Sequence, residues 1–316
     1  MKVDIVITWV DPHNKEWMEE KQYWYKKMHN KSYNATASYR SFDEIKYCLR
    51  SIETYMPWFN HIYLVTNDSA PRWLRSHPRL TVLHYRELMP NYICTYNSNA
   101  IESMLYKIPN LTDYFLYFND DTLLLKPLDL SHIIDLRTGK LKYPKETDII
   151  LSNFQYYKIL RIIEQKFFKY DTGVTNARIN SIEKMGLKYS GIASGHTPKI
   201  LHKKLCYIFN NRFKEEIDKL MLSKFRTEDN FTYVESFIHY HINKGVAVWN
   251  NQTTRILTIM DKPNLNKLQI KITQLLLKNY HYLAVEDARK IVNINEEKKI
   301  TNFLKTIYPK KCSFEI

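Results

Sequence analysis

The chain has 316 residues, 44% of them hydrophobic, and a net charge of +14, which is the composition of a basic globular protein with a sizeable core. No apolar run is long enough to span a bilayer, and the first residues lack the layout of a secretory signal peptide, so we expect a cytoplasmic protein. The four scattered cysteines have no zinc-type spacing and argue against a disulfide framework.

The first half of the chain alternates strand and helix signals. Uninterrupted apolar runs, typical of strands covered on both faces, predict strands at 3–10, 61–66, 80–85, 114–118 and 148–152. Ile45, Leu49 and Ile52 form one helical stripe, and a further helix is expected over 98–108. This alternation predicts an α/β fold with a mostly parallel sheet, which we assign to residues 1–155.

The second half, residues 156–316, reads as helix-rich. Thr197 and Pro198 together resemble a capped helix start. Further helices are expected over 215–222, 229–243, 265–278 and 296–308. Because no flexible linker separates the halves, we expect one continuous domain in which the helical part packs on the sheet and covers its rim.

Acidic residues follow two of the predicted strands. Asp11 ends the first apolar run, and Asp120 and Asp121 end the run FLYFNDD. Ligands of open α/β sheets bind beyond the carboxyl ends of the strands, and carboxylate oxygens there suit Mg²⁺ or Mn²⁺. An Asn-Asp-Asp sequence is also good turn chemistry, so a plain turn is the alternative.

Three other clusters carry polar groups that could act in chemistry. Glu102 lies in YNSNAIES, where a helix N-terminus would favour a carboxylate in any case. His196 lies in SGHTPK just before the expected helix start, and a lone histidine is more often structural. Arg226 stands beside Glu228 and Asp229, and a surface ion-pair network is the simpler reading. Taken singly, these three clusters do not establish a site.

Together the clusters resemble the Stealth family, the bacterial capsule and cell-wall polysaccharide phosphotransferases related to the eukaryotic GlcNAc-1-phosphotransferase. Four blocks stand in the family's order. They are VDIVITWVD, the long block from YRSFDEIKYCLRSIETY to YFLYFNDD, SGHTPK, and FRTEDNFTYVESFIHYH. The resemblance covers about half of the chain and spans most of its length.

The resemblance implies a Rossmann-like sheet that binds a nucleotide-sugar, and transfer of a sugar-1-phosphate to an acceptor hydroxyl. Matched by motif, the expected catalytic residues are Glu102, Asp121, His196 and Arg226. The expected substrate-binding residues are Asp11, Arg40, Asn99 and Lys199. The expected ligands of Mg²⁺ or Mn²⁺ are Asp120, Asp121 and Asp229.

The roles follow from the charge of a diphosphate. Arg226 is suited to hold phosphate oxygens, and a metal on Asp121 would share their charge. His196 and Asp121 are rival bases for the acceptor proton, and Glu102 would position the sugar, the acceptor or His196. By resemblance the donor is a UDP-sugar and the acceptor a polysaccharide or lipid-linked oligosaccharide at the inner membrane face.

Two other functions fit the sequence. A metal-dependent glycosyltransferase would use the same acids but release UDP. A non-catalytic polyanion-binding protein would use the net charge of +14, although spread lysines also serve simply as a solubilising surface. A basic surface could also contact an anionic membrane. No RGG, RRM or zinc-finger signature is present, so we expect no nucleic-acid partner.

Overall fold

The computed structural model describes residues 1–11, 14–31, 41, 43–67, 70–147, 173–250, 254–259, 280–287 and 294–316. The strands of this part of the chain are β1 (Val3–Trp9), β2 (Ile62–Thr66), β3 (Leu80–His84), β4 (Tyr114–Asn119), β5 (Thr122–Leu124), β6 (Leu141–Pro144), β7 (Glu146–Thr147), β8 (Ile192–Ala193), β9 (Lys199–His202), β10 (Ala247–Asn250), β11 (Thr254–Ile259) and β12 (Tyr282–Asp287).

The helices alternate with these strands in the first half and dominate between β8 and β10. They are α1 (Lys15–His29), α2 (Glu44–Tyr55), α3 (Ser98–Glu102), α4 (Leu130–Ile133), α5 (Gly173–Lys184), α6 (Lys203–Arg212), α7 (Lys214–Leu222), α8 (Tyr233–Asn243) and α9 (Ile294–Ile307). No helix among the described residues is both long and apolar enough to cross a membrane.

The central sheet has the strand order β3-β2-β1-β4-β9. The first four strands are parallel, and β9 pairs antiparallel with β4 at the edge. Strands β1, β2 and β4 are almost wholly buried because their apolar runs are covered on both faces. The predicted mostly parallel α/β sheet is confirmed, and each predicted strand boundary that can be compared agrees to within one residue.

Smaller sheets join the two halves of the chain. Strand β10 pairs with β6, β12 pairs with β5, and β8 pairs with β7. In each pair one strand comes from before residue 155 and the other from after it, as is also true of β4 and β9. In each of these four strand pairs, backbone hydrogen bonds therefore link the first half of the chain to the second.

Four predictions for the helices are corrected. The helix expected over 98–108 is α3 followed by a 3₁₀ turn at Leu105–Lys107, and it ends before Pro109 because a proline disfavours helical geometry in the preceding residue. The residues after Pro198 form β9, because the apolar pair Ile200 and Leu201 is buried against β4. The helix expected from 229 begins at Tyr233.

The fourth correction is an omission, since α1 and α5 carry no strong apolar period and were not predicted at all. The expected strand 148–152, the expected helix 265–278 and the candidate Arg40 lie outside the described residues. The apolar stripe of α2 is confirmed, because Ile45, Leu49 and Ile52 are all buried in the main core. All four cysteines are free thiols.

A buried ion pair anchors the last residues of the chain to α2. Arg50 donates to both carboxylate oxygens of Glu315, at 2.6 and 2.7 Å, and to the carbonyl of Tyr308 at 2.7 Å. The Tyr308 hydroxyl donates in turn to the carbonyl of Leu124 at 2.6 Å. Strand β5, which contains Leu124, is therefore supported by the C-terminal segment as well as by α2.

Candidate active site

The carboxyl ends of three parallel strands bring polar residues to one edge of the sheet. In the register of β1 and β4, Thr8 lies opposite Asn119, so Asp11 and the residues after Asn119 leave the sheet side by side. Asn67 follows β2, and its side chain accepts from the Asp11 amide at 2.7 Å and donates to the Asp11 carbonyl at 3.4 Å. This amide fixes the direction in which the chain leaves β1.

Asp120 and Asp121 form a turn between β4 and β5, which we call the acidic turn. The residues form a turn that lies at the end of a strand, and their use in metal binding or catalysis stays a prediction. Burial, followed by the charges of Asp121 and Glu44, raises the pKa of Asp120 well above its usual range. The adjacent carboxylates of Asp120 and Asp121 suit Mg²⁺ or Mn²⁺ chemically.

His196 faces the acidic turn from the second half of the chain. Its Nδ1 lies 4.0 Å from Oδ2 of Asp121, and both side chains are partly exposed. His196 is therefore placed to accept a proton near a second catalytic candidate.

The loop carrying His196 is fixed from two sides. Lys199 is 6% exposed, and its ammonium donates to the carbonyls of Gly195 and Thr197, both at 2.6 Å. On α8, the Glu235 carboxylate accepts from the Ser194 amide at 3.1 Å and from the Ser194 hydroxyl. Lys199 therefore shapes the loop in this structure, and its expected contact with substrate stays a prediction.

Glu102 lies at the end of α3 beside β4. It accepts a hydrogen bond from the Tyr117 hydroxyl at 3.1 Å, and the same hydroxyl lies 3.1 Å from Thr8 Oγ1. Burial raises the pKa of Glu102, while the charge of Arg226 and the hydrogen bond from Tyr117 act in the opposite direction. The Glu102 carboxyl group is therefore bonded to Tyr117 of β4 and is subject to the positive charge of Arg226.

The loops around Glu102 and Arg226 are bound to each other. The Tyr96 amide donates to the Lys224 carbonyl at 2.8 Å, and Asn97 donates to the side chain of Asn230 at 2.8 Å. Asn99 accepts from the Tyr233 amide at 3.2 Å, which ties α3 to the first turn of α8. The observed contact of Asn99 is structural, and its predicted contact with substrate stays a prediction.

Arg226 and Asp229 are both exposed in the loop that precedes α8. Arg226 is close enough to act electrostatically on Glu102. The Asp229 carbonyl accepts from Lys184 at 2.8 Å, which fixes the backbone there. Among the described residues, no group of three or more His, Cys, Asp or Glu side chains is gathered for a metal, so the predicted set with Asp229 is not assembled as a cluster.

The four side chains predicted to be catalytic form two pairs of neighbours near the end of β4. Arg226 acts on Glu102, Glu102 accepts from Tyr117, and His196 faces Asp121 in the acidic turn directly after the strand of Tyr117. These residues come from separate segments of the sequence. The fold therefore brings carboxylates, a histidine and an arginine to one edge of the central sheet, and their catalytic roles stay predictions.

Sequence and fold comparisons identify relatives of this chain. The family profile described as Stealth protein CR2, conserved region 2, matches residues 38–141. The capsular polysaccharide phosphotransferase fcs1 of Haemophilus influenzae is 30% identical over 248 residues, which are 75% of this chain and 64% of that protein. The chain therefore contains conserved region 2 of the Stealth proteins and is similar to capsular polysaccharide phosphotransferases.

Two further relatives align over more of the chain. The capsular polysaccharide phosphotransferase LcbA of Neisseria meningitidis is 29% identical, with 88% of this chain and 74% of that protein covered. The exopolysaccharide phosphotransferase SCO2594 of Streptomyces coelicolor is 28% identical, with 99% and 51% covered. The chain spans 51% to 64% of the length of the relatives fcs1 and SCO2594.

A solved structure of the galactosyltransferase LgtC with donor and acceptor sugar analogs also aligns with this chain. It is 12% identical, covers 96% of each chain and gives a TM-score of 0.47.

The sequence analysis missed several residues that shape the candidate active site. Asn67 follows β2 as Asp11 follows β1, so the same pattern could have found it. Glu235 is an acidic residue inside the apolar run YVESFI. An acid flanked by apolar residues is the same pattern that identified the acidic turn. Tyr117 and Lys21 carry no such signal, because only the packing of the chain brings them to the site.

Proposed function

We propose that this protein transfers a sugar-1-phosphate from a UDP-sugar to a hydroxyl group of a polysaccharide or lipid-linked oligosaccharide. The sugar is a hexose or an N-acetylhexosamine, the product is a phosphodiester, and UMP is released. The names of the relatives support a phosphotransferase that acts on capsular or exopolysaccharide. We also propose that residues 1–155 and 156–316 together form one catalytic domain.

One arrangement supports the proposal: Arg226 acts on Glu102, which accepts a hydrogen bond from Tyr117 of β4, and the acidic turn that follows this strand faces His196. A diphosphate donor needs positive charge near its phosphates, and an incoming hydroxyl needs a base. Both groups are present near the end of β4. A protein that only binds polyanions would need the positive charge but not the histidine and carboxylate pair.

The reaction exchanges one bond at phosphorus for another. The acceptor oxygen forms a bond to the phosphorus that carries the sugar, and the bond from that phosphorus to the bridging oxygen breaks. UMP leaves with the bridging oxygen. Arg226, with its planar fork of donors, is suited to hold the phosphate oxygens while the acceptor is aligned. Glu102 would position a sugar hydroxyl, since it lies next to Arg226.

His196 is our choice for the base. The hydroxyl proton would pass to its imidazole, and the carboxylate of Asp121, 4.0 Å from Nδ1, would stabilise the imidazolium that forms. Asp121 then keeps its charge throughout the reaction. Glu235 and Lys199, which fix the loop of His196, position the base relative to the acidic turn.

The acidic turn fits a divalent cation. Two adjacent carboxylates in the turn directly after β4 support this fit, and burial, followed by the charges of Asp121 and Glu44, raises the pKa of Asp120 in the absence of a cation. Asp120 and Asp121 would hold the ion, with substrate phosphates completing its ligands, as is usual for Mg²⁺. When bound, the ion neutralises charge on the diphosphate. We further propose that the protein is cytoplasmic and makes peripheral contact with an anionic membrane.

The test is a screen of UDP-sugars, beginning with UDP-GlcNAc, with a hydroxyl acceptor and Mg²⁺ or Mn²⁺. We expect release of UMP together with a phosphodiester signal in the phosphorus NMR spectrum of the product. Release of UDP with a phosphate-free linkage would instead indicate a glycosyltransferase. Steeply salt-dependent nucleic-acid binding without consumption of any UDP-sugar would indicate a polyanion-binding protein.

A further inference from the structure

The last two turns of α1 carry large apolar side chains and lysines together at the surface. Tyr23 is 58% exposed and Met28 is 54% exposed. Trp24 and Lys27 lie between them on the same helical face, because residues three and four apart are neighbours on a helix. We call Tyr23, Trp24, Lys27 and Met28 the α1 patch. Single exposed apolar residues are normal, but a contiguous group of them is typical of an interaction surface.

Contacts within the α1 patch hold its aromatic rings and its charge together. The rings of Tyr23 and Trp24 meet edge to face, with their centres 5.4 Å apart. The Nζ of Lys27 lies 5.7 Å from the centre of the Tyr23 ring and 5.1 Å from that of the Trp24 ring. A second ammonium group, that of Lys224, lies 4.0 Å from the centre of the Trp24 ring. The α1 patch is therefore both aromatic and cationic.

Charge is distributed unevenly along α1. Its acidic residues are confined to the first two turns, and one of them, Glu20, is paired with Arg86 at 2.6 Å. The stretch 21–31 contains no acidic residue, and three of its four lysines are exposed, namely Lys26, Lys27 and Lys31. Lysines in the last turn of a helix also complement its dipole, but the dipole does not explain the exposed tyrosine and methionine beside them.

One short loop joins the α1 patch to the proposed active site. Lys224, which lies over the Trp24 ring, belongs to the loop before α8. The ring of Tyr25 meets that of Phe225 in the same loop edge to face, with their centres 5.3 Å apart. Arg226 is the next residue along the chain. A surface that bound the α1 patch would therefore lie beside the loop to which we assign the donor phosphate.

We propose that the α1 patch docks this protein on an anionic membrane surface, with its rings at the level of the headgroups and its lysines beside the lipid phosphates. This inference deepens the membrane contact of the proposed function, and it rests on that function for the lipid-linked acceptor. Tyrosine and tryptophan favour the membrane interface, and lysine is attracted to an anionic leaflet.

Two other occupants of the α1 patch fit the observations less well. A saccharide would stack on the face of an aromatic ring, but two ammonium groups already lie over the Trp24 ring. A second copy of this chain, related by a twofold axis, would place the same patch opposite itself and bring like charges together. An anionic membrane instead complements the positive charge and accepts the apolar side chains.

The experiment measures binding of the full chain to vesicles by flotation, without any nucleotide-sugar. The vesicles contain phosphatidylcholine alone or phosphatidylcholine with about 30% phosphatidylglycerol. We compare wild type with the patch variant, Tyr23→Ser with Lys27→Gln. The matched control is Lys204→Gln with Tyr207→Ser on α6, because Tyr207 is 57% exposed and Lys204 is exposed as well. Circular dichroism establishes that each variant is folded.

Wild type should bind the anionic vesicles at least about 10-fold more tightly than the neutral ones, and added salt should weaken this binding because ions screen the attraction. The patch variant should bind the anionic vesicles about 10-fold more weakly than wild type, since it loses one lysine and one interfacial ring. The control variant should match wild type. Brominated lipid should quench the tryptophan fluorescence of wild type, and Trp24→Phe should remove most of this quenching.

The outcomes separate this inference from the function on which it rests. If folded wild type does not bind anionic vesicles, or if the control variant loses as much binding as the patch variant, the docking surface is wrong and the proposed transfer of a sugar-1-phosphate survives. Quenching that persists in Trp24→Phe would also overturn the inference. So would oligomers of wild type that dissociate in the patch variant, or saccharide binding that is lost while vesicle binding is kept. Vesicle binding as expected, without UMP release in the UDP-sugar screen, would overturn the proposed function and leave the docking surface in place.

Discussion

Removing the carboxylate of Glu315 should strongly destabilise the protein. Arg50 donates to both oxygens of this carboxylate, and the two side chains are only 9% and 4% exposed. Glu315→Ala would leave the Arg50 guanidinium buried without its counter-ion. Breaking a buried pair in this way typically costs about 3–5 kcal/mol, which corresponds to a change of about 150- to 5,000-fold in the unfolding equilibrium.

The assay is urea unfolding of wild type, Glu315→Ala and the double variant Arg50→Met with Glu315→Leu, followed by far-UV circular dichroism. The double variant should recover much of the loss, because it leaves no buried charge without a partner. A control pair is Lys219 and Glu215, which are also 2.6 Å apart but 69% and 76% exposed. Glu215→Ala should not shift the midpoint measurably, because water screens an exposed pair.

The effect should also depend on pH. Burial opposes the shift, but the hydrogen bonds and charge of Arg50 prevail and lower the pKa of Glu315 below its usual range. Stability from this pair is therefore complete above the unfolded pKa, near 4.5, and is lost as pH falls through the folded value. If Glu315→Ala costs less than about 1 kcal/mol at pH 7, the description of a buried, charge-dependent anchor is refuted.

Three further predictions concern the site. His196→Ala should reduce turnover by about 100-fold or more with an unchanged melting temperature, and near-normal turnover would exclude it as the base. Glu235→Ala should lower kcat by about 10-fold with little change in KM, with partial rescue by Glu235→Gln; an unchanged kcat would contradict a positioning role. Because Lys21 has a folded pKa of about 7 against 10.5 unfolded, wild-type stability should rise with pH between these values. Urea titrations from pH 6 to 10 should show a flatter dependence for Lys21→Met, and equal slopes would contradict the lowered pKa.

Metal dependence gives one more prediction. Chelation by EDTA should abolish turnover, with recovery on adding Mg²⁺ or Mn²⁺, because the acidic turn is proposed to hold the ion. The melting temperature should change little, since no group of three metal-binding side chains is gathered among the described residues. A large loss of thermal stability on chelation would indicate a structural metal instead.

The strands and the acids at their ends could be predicted because both signals are local. An uninterrupted apolar run identifies a strand covered on both faces, and an acid directly after it marks the carboxyl end of that strand. Asp11 and the acidic turn were found in this way. Their adjacency also follows, because β1 and β4 are parallel neighbours in register.

Features that depend on tertiary contacts could not be predicted in the same way. The residues after Pro198 look like a helix start, but pairing with β4 makes Ile200 and Leu201 part of a strand. Likewise, Lys21 resembles any other surface lysine until α1 docks on the loops of the site. The bonds between Asn97 and Asn230 join residues 133 positions apart.

Strand β9 is synthesised well after β4, the strand with which it pairs, and this order affects folding on the ribosome. β4 is the run YFLYFN, and among the described residues its outer edge pairs with Lys199–His202. While the nascent chain is shorter than this, β4 offers open backbone groups and large apolar side chains to other molecules. Newly made chains should therefore need chaperones during this interval, and fragments that stop before β9 should form inclusion bodies.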